Sequence, residues 1–303
     1  MKYSITVIAA IAALLLTQGC SSVLKSGETS SQENTTTQID RDGRSNNNHG
    51  GHSNEQMHHN GHANNHQSDR SIITEAKLTA PKNIVPNQSV PLVINIQDSQ
   101  RKSVTKFDTF QEKLMHLIVV SDDLKIFDHL HPNYKGNGRF EVNANFPEPN
   151  IYTIFSDYKP SGENERVNLM KLTVPGSTPV PQDLAKYSNT KILPDTKINL
   201  NFSQPNLKVG QEVTLKFDLK EAANNQPIKD LKPYLGEKGH LVIIKSSSPL
   251  TVSDYIHAHA LKNSPDGQVQ FVTSFPQSGT YKLWMQFNRN GKVNTADFWV
   301  NVQ

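Results

Sequence analysis

The sequence is poor in cysteine and in long apolar segments. Cys20 is the single cysteine among 303 residues, so no disulfide can form within the chain, and its folded part must be stabilised by its core alone. The main apolar run, residues 5–16, follows Lys2 and is too short to span a bilayer stably. The sequence therefore predicts a secretory signal at this end of the chain.

A charge imbalance and the common catalytic motifs are also missing. The formal net charge is +3, from 31 basic and 28 acidic residues, which gives no reason to expect a nucleic-acid partner. There is no G-x-S-x-G elbow, phosphate-binding glycine loop or H-E-x-x-H pair, so we expect no enzymatic activity. Hydrolysis by a metal-bound water is a weaker alternative, because no partner residues suggest a substrate pocket.

The apolar run ends in "LTQGC", which resembles a bacterial lipobox. Gly19 precedes Cys20 as that pattern requires, although Leu16 lies one position further from the cysteine than is usual. The resemblance implies a lipoprotein signal peptide over residues 1–19 and a mature chain lipidated at Cys20. Such a chain would be anchored to a bacterial membrane in the cell envelope, facing the periplasm or the outside. The alternative is a free thiol beside an ordinary cleavage site.

Residues 20–71 are rich in Ser, Asn, Thr, Gln and His and contain few large apolar residues. Such a segment cannot bury enough surface to offset chain entropy, so we predict a disordered tether. It carries six residues, called here the tail histidines: His49, His52, His58, His59, His62 and His66. Neutral imidazoles in a flexible segment can wrap a metal ion such as copper, zinc or nickel. The alternative is a solvated linker with incidental histidines.

The rest of the chain contains an internal repeat. "EKLMHLIVVS", "FDHLHP" and "GRFEVNANFPEPNIYTIFSDY" in the first copy match "GEKGHLVIIKS", "DYIHAHA" and "GQVQFVTSFPQSGTYKLWMQF" in the second. This pattern predicts two domains, repeat 1 over residues 72–175 and repeat 2 over residues 195–303, joined by a Pro-rich linker over residues 176–194. The matching histidines are His116 with His240, His129 with His257, and His131 with His259.

Each copy consists of short alternating runs separated by Pro, Gly, Asn and Asp, and no stretch keeps a helical period over three turns. We therefore predict an all-β fold of two tandem immunoglobulin-like antiparallel β-sandwiches, with one continuous barrel as the weaker alternative. Recurring aromatic residues are expected to pack inside the sandwiches: Tyr152, Phe155, Tyr158, Tyr281, Trp284 and Phe287.

Strand alternation places both histidines of each H-x-H pair on one face. His129 and His131 share a face with Phe127, away from the face with the larger share of apolar residues. His257 and His259 follow the same pattern in repeat 2. Backbone positions two apart on a strand lie about 7 Å from each other, which lets two imidazoles converge on one ion.

A third ligand has to come from another strand, and His116 or His240 is the candidate. The strand "HLIVVS" is apolar on both faces, so alternation leaves the direction of His116 undecided. Three histidines with an open position would suit copper(II) or zinc. Met115 could add a thioether in repeat 1, where repeat 2 has Gly239.

Two acidic residues lie next to the H-x-H pairs. Asp128 and Asp254 could orient an imidazole, or they could be ordinary residues of surface turns.

At these residues, above all "MHLIVVSDDLKIFDHLHP" and "GHLVIIKS", the chain resembles the secreted bacterial YtkA-like and CopC-like sandwich proteins associated with copper handling in the cell envelope. The resemblance extends over residues 74–303 and implies binding of a transition metal, copper before zinc, by a buffer, chaperone or accessory protein with a metal-delivery or envelope partner. The chain departs from the best-defined copper sites of those proteins, which begin with a histidine at the mature N-terminus, where Cys20 stands here. The alternative is a structural or partner-binding lipoprotein without a metal site in its folded part.

Overall fold

The structure of the protein is a computed structural model, and it describes residues 73–177, 187–258 and 260–303. Within these ranges the chain forms β-strands, turns and one short 3-10 helix, Val252–Asp254. None of these residues belongs to a helix long and apolar enough to cross a membrane. The predictions made for the signal peptide, for Cys20, for the whole tether with its tail histidines and for His259 lie outside the described residues.

Repeat 1 is an antiparallel sandwich of two sheets. One sheet has the order β1-β2-β7-β6, and the other has the order β3-β8-β4-β5 with β9 also paired to β8. The strands are β1 Thr74–Thr79, β2 Ser89–Asp98, β3 Phe107–Asp108, β4 Met115–Ser121, β5 Phe127–Leu130, β6 Asn133–Tyr134, β7 Arg139–Asn145, β8 Asn150–Pro160 and β9 Arg166–Val174.

Repeat 2 has the same two-sheet arrangement. Its sheets have the orders β10-β11-β12-β15 and β14-β13-β16-β17. The strands are β10 Thr190–Ile192, β11 Thr196–Phe202, β12 Glu212–Glu221, β13 His240–Lys245, β14 Tyr255–Ala258, β15 Gln268–Ser274, β16 Gly279–Arg289 and β17 Lys292–Val302. The predicted all-β fold of two tandem sandwiches is therefore confirmed, and four separate sheets replace the alternative of one continuous barrel.

Each sandwich has its own core because alternate residues of its strands point inward. In β2 the inward residues Leu92, Ile94 and Ile96 are buried in the core of repeat 1, while their neighbours are more exposed. In repeat 2, Phe217 and Phe271 meet edge to face, with ring centroids 5.7 Å apart. Each repeat thus buries apolar surface between its own two sheets.

Strand register shows that the repeats match residue by residue. His116 on β4 lies opposite Asp157 on β8, and His240 on β13 lies opposite Gln286 on β16. The same pairing continues two residues on, where Ile118 faces Phe155. The predicted internal repeat is therefore present in the structure as well as in the sequence.

A third apolar cluster lies between the two repeats. It combines Ile118, Val120 and Phe155 of repeat 1 with Trp284 and other residues of repeat 2. β4 is consequently buried on both faces, one inside its own sandwich and one against the other repeat. This double burial is why the sequence of β4 shows no alternation.

Two aromatic stacks cross this interface in a reciprocal way. The ring of Phe127 stacks on Trp284 of repeat 2 at 4.7 Å, with 13° between the planes. The ring of Tyr255 stacks on Phe155 of repeat 1 at 5.0 Å, with 18° between the planes. Phe127 and Tyr255 occupy equivalent positions in the repeats, as do Phe155 and Trp284. The two repeats therefore pack with approximate twofold symmetry.

Two details differ from the sequence predictions. Phe155 and Trp284 were expected inside the sandwiches, but they pack between the repeats, because their side chains point to the outer faces of β8 and β16. Strand β10 lies within the predicted linker 176–194 and pairs with β11, so the sheet of repeat 2 begins before residue 195.

Candidate metal centre

His116 points into the interface between the repeats. It shares a face of β4 with Ile118 and Val120, which belong to the interface cluster, whereas Met115 and Leu117 point into the core of repeat 1. Because β5 pairs with β4, this direction brings His116 beside His129. The sequence left the direction of His116 undecided, and in the structure this side chain points toward the H-x-H pair of repeat 1.

The histidines of both repeats meet in one place. His116, His129, His131, His240 and His257 form what we call the five-histidine cluster. Across the repeats, the ring centroids of His116 and His240 are 5.9 Å apart, and those of His116 and His257 are 5.3 Å apart. Five of the six histidines predicted as ligands in the two copies thus lie together at the interface between the repeats.

In repeat 1 the hydrogen bonds define the tautomers of two histidines. Nε2 of His116 donates to the backbone oxygen of Phe110 at 3.2 Å, since a carbonyl only accepts. Nδ1 of His129 donates to Oε1 of Gln286 at 2.7 Å, and the amide nitrogen of Gln286 in turn donates to Thr295. In the neutral rings, the proton-free nitrogens are then Nδ1 of His116 and Nε2 of His129.

These two nitrogens lie 3.0 Å apart, so two lone pairs face each other. A proton shared between them would relieve the repulsion but would create a buried imidazolium. Burial opposes this, because it lowers the pKa of His116 to about 2 and holds the pKa of His129 well below its usual value. A metal ion is the other way to satisfy both lone pairs.

His131 supplies the third nitrogen of this group. His116, His129 and His131 each offer a ligand atom within 4.8 Å of the other two. Nε2 of His131 is buried and has no hydrogen-bond partner among the described residues. Burial, followed by the charge of Lys113, lowers the pKa of His131 to about 4, so this ring is also neutral at pH 7. The predicted three-histidine group of repeat 1 is therefore brought together.

Two nitrogens bound to one tetrahedral ion at about 2.0 Å lie about 3.3 Å apart. The three imidazoles therefore need to close in by at most about 1.5 Å to share an ion, given the 4.8 Å limit on their present separation. This adjustment is within the range of small side-chain rotations.

In repeat 2, His257 is held by a carboxylate. Its Nδ1 donates to Oδ2 of Asp157 at 3.0 Å, and its Nε2 lies 3.4 Å from Nδ1 of His240. The hydroxyl of Tyr255 donates to the same Asp157 oxygen at 3.1 Å. His257 and Tyr255 belong to repeat 2, whereas Asp157 belongs to repeat 1, so this contact also joins the two sandwiches.

The groups that orient the imidazoles are not those considered from the sequence. Oδ1 of Asp128 accepts from the backbone nitrogen of His129, and Asp254 accepts from Thr251 and Ser247 in the turn before β14. Within the part of the chain that the structure describes, neither carboxylate is hydrogen bonded to an imidazole. Asp128 and Asp254 instead accept hydrogen bonds from residues close to them in the sequence.

Asp157 and Gln286 take that role, and the sequence analysis did not find them. Each lies on the strand next to a histidine strand and reaches across to the opposite repeat. A signal was present: both are polar residues at the same position of the repeat, "IFSDY" and "WMQF", each next to an aromatic residue that recurs in the other repeat.

Met115 does not join the site. Its side chain is buried in the core of repeat 1, on the opposite face of β4 from His116. A Cβ atom on Gly239, at the equivalent position, would lie 2.8 Å from the backbone oxygen of Gln286 and 3.2 Å from Val269. Repeat 2 has no room for a methionine there. The ligand set of the described residues is therefore imidazole only.

Aromatic rings cover the two histidines that begin the strands. The ring of Phe110 contacts His116 at 4.7 Å, and the ring of Tyr234 contacts His240 at 5.4 Å, both edge to face. His116 and His240 are each at most 1% exposed. This covering keeps water away from the inner part of the cluster, while His131 at its edge is only partly buried.

A family model described as a domain of unknown function (DUF8832) matches residues 71–176 and 192–303, more than half of the chain. The comparison with curated proteins found no match.

Among solved structures, the chain is similar to an alpha-2-macroglobulin mutant from Salmonella, with 13% identity over 76% of this chain and 14% of that chain and a TM-score of 0.25. It is also similar to the adhesin InvE of Yersinia pseudotuberculosis, with 12% identity over 75% of this chain and 59% of that chain and a TM-score of 0.24. A segment of two fibronectin type III domains from chicken tenascin is similar as well, with 12% identity over 76% of this chain and 99% of that chain and a TM-score of 0.23. This chain spans a small part of the alpha-2-macroglobulin, and TM-scores this low carry no argument about function.

Proposed function

Because the chain belongs to the DUF8832 family, whose function is unknown, we propose its function from the site: the folded part binds a transition metal ion at His116, His129 and His131. The main support for this proposal is the distance of 3.0 Å between two proton-free imidazole nitrogens, Nδ1 of His116 and Nε2 of His129. Two ligands of one tetrahedral ion at bond lengths of about 2.0 Å lie about 3.3 Å apart, close to this distance.

The neutral state of the imidazoles supports the same proposal. Metal ions bind only the deprotonated imidazole, and burial already lowers the pKa of all three rings. No proton has to be displaced at neutral pH. The second nitrogens of His116 and His129 are fixed by Phe110 and Gln286, as is usual for metal-binding histidines.

The identity of the metal is proposed from the chemistry of the ligands. Imidazole suits copper, zinc, nickel and iron, and the order of affinity among divalent ions puts copper(II) above zinc. We place copper first and zinc second. With the lipobox-like "LTQGC" and the tail histidines, the proposed role is that of a lipid-anchored envelope protein that buffers copper or passes it to a partner.

The test uses the full chain with the tail histidines changed to Asn, so that only the folded part can bind metal. Copper(II) uptake is measured by calorimetric titration and by metal analysis after dialysis. We expect at least one bound ion, and one ion fewer when His129→Leu and His131→Leu are added.

The control variant is Val293→Ala, at an exposed site of repeat 2, which should bind as the parent does. Circular dichroism checks that every variant is folded. No uptake of copper(II) or zinc by the parent, or equal uptake by parent and double variant, would overturn the proposal and leave a purely structural interface.

A further inference from the structure

Repeat 2 presents a pair of imidazole nitrogens that matches the pair in repeat 1. Nε2 of His257 lies 3.4 Å from Nδ1 of His240, and Nε2 of His129 lies 3.0 Å from Nδ1 of His116. The same two atom types are involved in each repeat. Both distances are near the roughly 3.3 Å expected for two ligands of one tetrahedral ion. Each repeat therefore has its own ligand pair within the five-histidine cluster.

The hydrogen bond to Asp157 directs the other ring nitrogen of His257 toward His240. Nδ1 carries a proton, because it donates to the carboxylate of Asp157. In the neutral ring, the lone pair of Nε2 then lies on the side of His240. A carboxylate behind a histidine makes the imidazole a stronger ligand, and this arrangement recurs in metal sites.

Asp157 supplies an independent observation. It is 2% exposed, and its Oδ1 atom is buried without a hydrogen-bond partner among the described residues. Oδ2 accepts from Nδ1 of His257 and from the hydroxyl of Tyr255, and neither of these contacts reaches Oδ1. A buried carboxylate with an unsatisfied oxygen is costly unless positive charge lies nearby. A cation held by His257 would supply that charge.

We infer that a second transition metal ion binds His240 and His257, so that the two repeats together form a two-metal centre. This inference rests on the proposed function, since it adds a second ion beside the one at His116, His129 and His131. The ring centroids of His116 and His257 are 5.3 Å apart, which puts the two ligand sets in contact. Two-metal sites in proteins hold their ions about 3.5–4 Å apart.

The two ions are equivalent by the symmetry of the repeats but differ in charge environment. The ion in repeat 1 has a neutral amide, Gln286, behind His129. The ion in repeat 2 has the carboxylate of Asp157 behind His257. The negative charge of Asp157 offsets part of the repulsion between two cations in one buried region.

The experiment counts copper and unpaired electrons in the same sample. The full chain with the tail histidines changed to Asn is loaded with copper(II), dialysed, and examined by metal analysis and by electron paramagnetic resonance. We expect two coppers per chain and fewer detectable spins than coppers, because two neighbouring copper(II) ions couple magnetically. Adding His240→Leu and His257→Leu should leave one copper with a full, isolated signal.

Other outcomes separate the two hypotheses. One copper per chain in the parent overturns the second ion but leaves the proposed function standing, and no copper overturns both. Two coppers with a full spin count would mean two distant ions and would overturn the shared centre.

Asp157→Asn keeps the shape of the side chain and tests the role of the carboxylate without removing a ligand. As a positioning residue, Asp157 should change the affinity for the second copper by about 10- to 100-fold and leave the first unchanged. The matched control is Gln286→Asn, which shortens the group behind His129 and should weaken the first copper instead. Equal weakening of both ions by each variant would contradict two separate ligand pairs.

Discussion

Repeat 1 and repeat 2 contribute the same kinds of residue to their shared interface but differ in the groups that hold the histidines. His129 of repeat 1 donates to the amide of Gln286, whereas His257 of repeat 2 donates to the carboxylate of Asp157. Because the repeats pack with approximate twofold symmetry, the first histidine of each H-x-H pair, His129 or His257, is oriented by a residue of the other repeat. The two repeats thus form one histidine cluster whose halves differ in charge.

A second difference concerns the aromatic residues that cross the interface. Repeat 1 inserts Phe127 and receives Tyr255, and the added hydroxyl of Tyr255 donates to Asp157. Repeat 2 also has the buried Lys282, which donates to the backbone oxygen of Leu124 at 2.8 Å and lies 5.2 Å from the ring of Trp284. In both of these hydrogen bonds across the interface, the donor belongs to repeat 2 and the acceptor to repeat 1.

The largest effect is expected from removing one of the interface stacks. Trp284→Ala deletes the ring that Phe127 and Lys282 contact, and should lower the free energy of unfolding by about 3–5 kcal/mol, as measured by urea denaturation. Phe155→Ala, at the equivalent position, should cost a similar amount. Val293→Ala, at an exposed site, is the control and should stay within about 0.5 kcal/mol. A cost below about 1 kcal/mol for Trp284→Ala would contradict a tightly packed interface.

Acidification should destabilise the metal-free protein through the histidines of repeat 1. The folded-state pKa is lowered for His116, His129 and His131, so the unfolded chain takes up protons first as the pH falls below about 6.5. Stability is complete above that pH and is lost progressively below it, toward about 4 for His131 and about 2 for His116. Each histidine should cost about 1 kcal/mol between pH 6.5 and pH 5.5.

Urea midpoints at pH 7.5, 6.5 and 5.5 measure this loss. His131→Gln should reduce the loss of stability between pH 6.5 and pH 5.5 by about 1 kcal/mol, the amount expected from one histidine. A slope unchanged by that variant would show that other groups cause the acid sensitivity. Copper affinity of the folded protein should stay nearly constant over this range and fall only at lower pH, toward the pKa of about 4 of His131, because protons compete with the metal only where the folded imidazoles bind them.

Making repeat 1 resemble repeat 2 should strengthen the metal binding that we propose for repeat 1. Gln286→Glu places a carboxylate behind His129, as Asp157 already does for His257. We expect affinity for the first copper to rise about tenfold, with a loss of stability in the metal-free protein because a buried charge is added. Calorimetric titration measures the affinity, and Gln277→Glu on an exposed loop is the control. Unchanged affinity would mean that the charge behind His129 has no influence on the ion.

The smallest effect is expected where repeat 2 is made to resemble repeat 1. Tyr255→Phe keeps the ring that stacks on Phe155 and removes the hydrogen bond to Asp157, which still accepts from His257. The free energy of unfolding should fall by about 1 kcal/mol. Tyr187→Phe, at an exposed tyrosine, should change it less. An unchanged stability after Tyr255→Phe would show that the hydroxyl contributes nothing net to the interface.

The sequence predicted the fold and the grouping of histidines within each repeat, because both depend on local periodicity. Alternation in β5 put His129 and His131 on the face opposite the core of repeat 1, and the structure places them there. It did not identify Asp157 or Gln286, since these contacts join residues 100 and 157 positions apart in different repeats. The alternation of apolar and polar residues along a strand does not indicate which other part of the protein will pack against that strand.

What the sequence determined by itself is a pair of all-β repeats, each with an H-x-H pair on the outer face of a strand. The tertiary structure decided that these two outer faces meet, that His116 turns into the interface, and that five histidines form one buried cluster. The physical reason lies in β4, whose two faces are equally apolar: its own sandwich buries one, and the other can be buried only by docking against repeat 2.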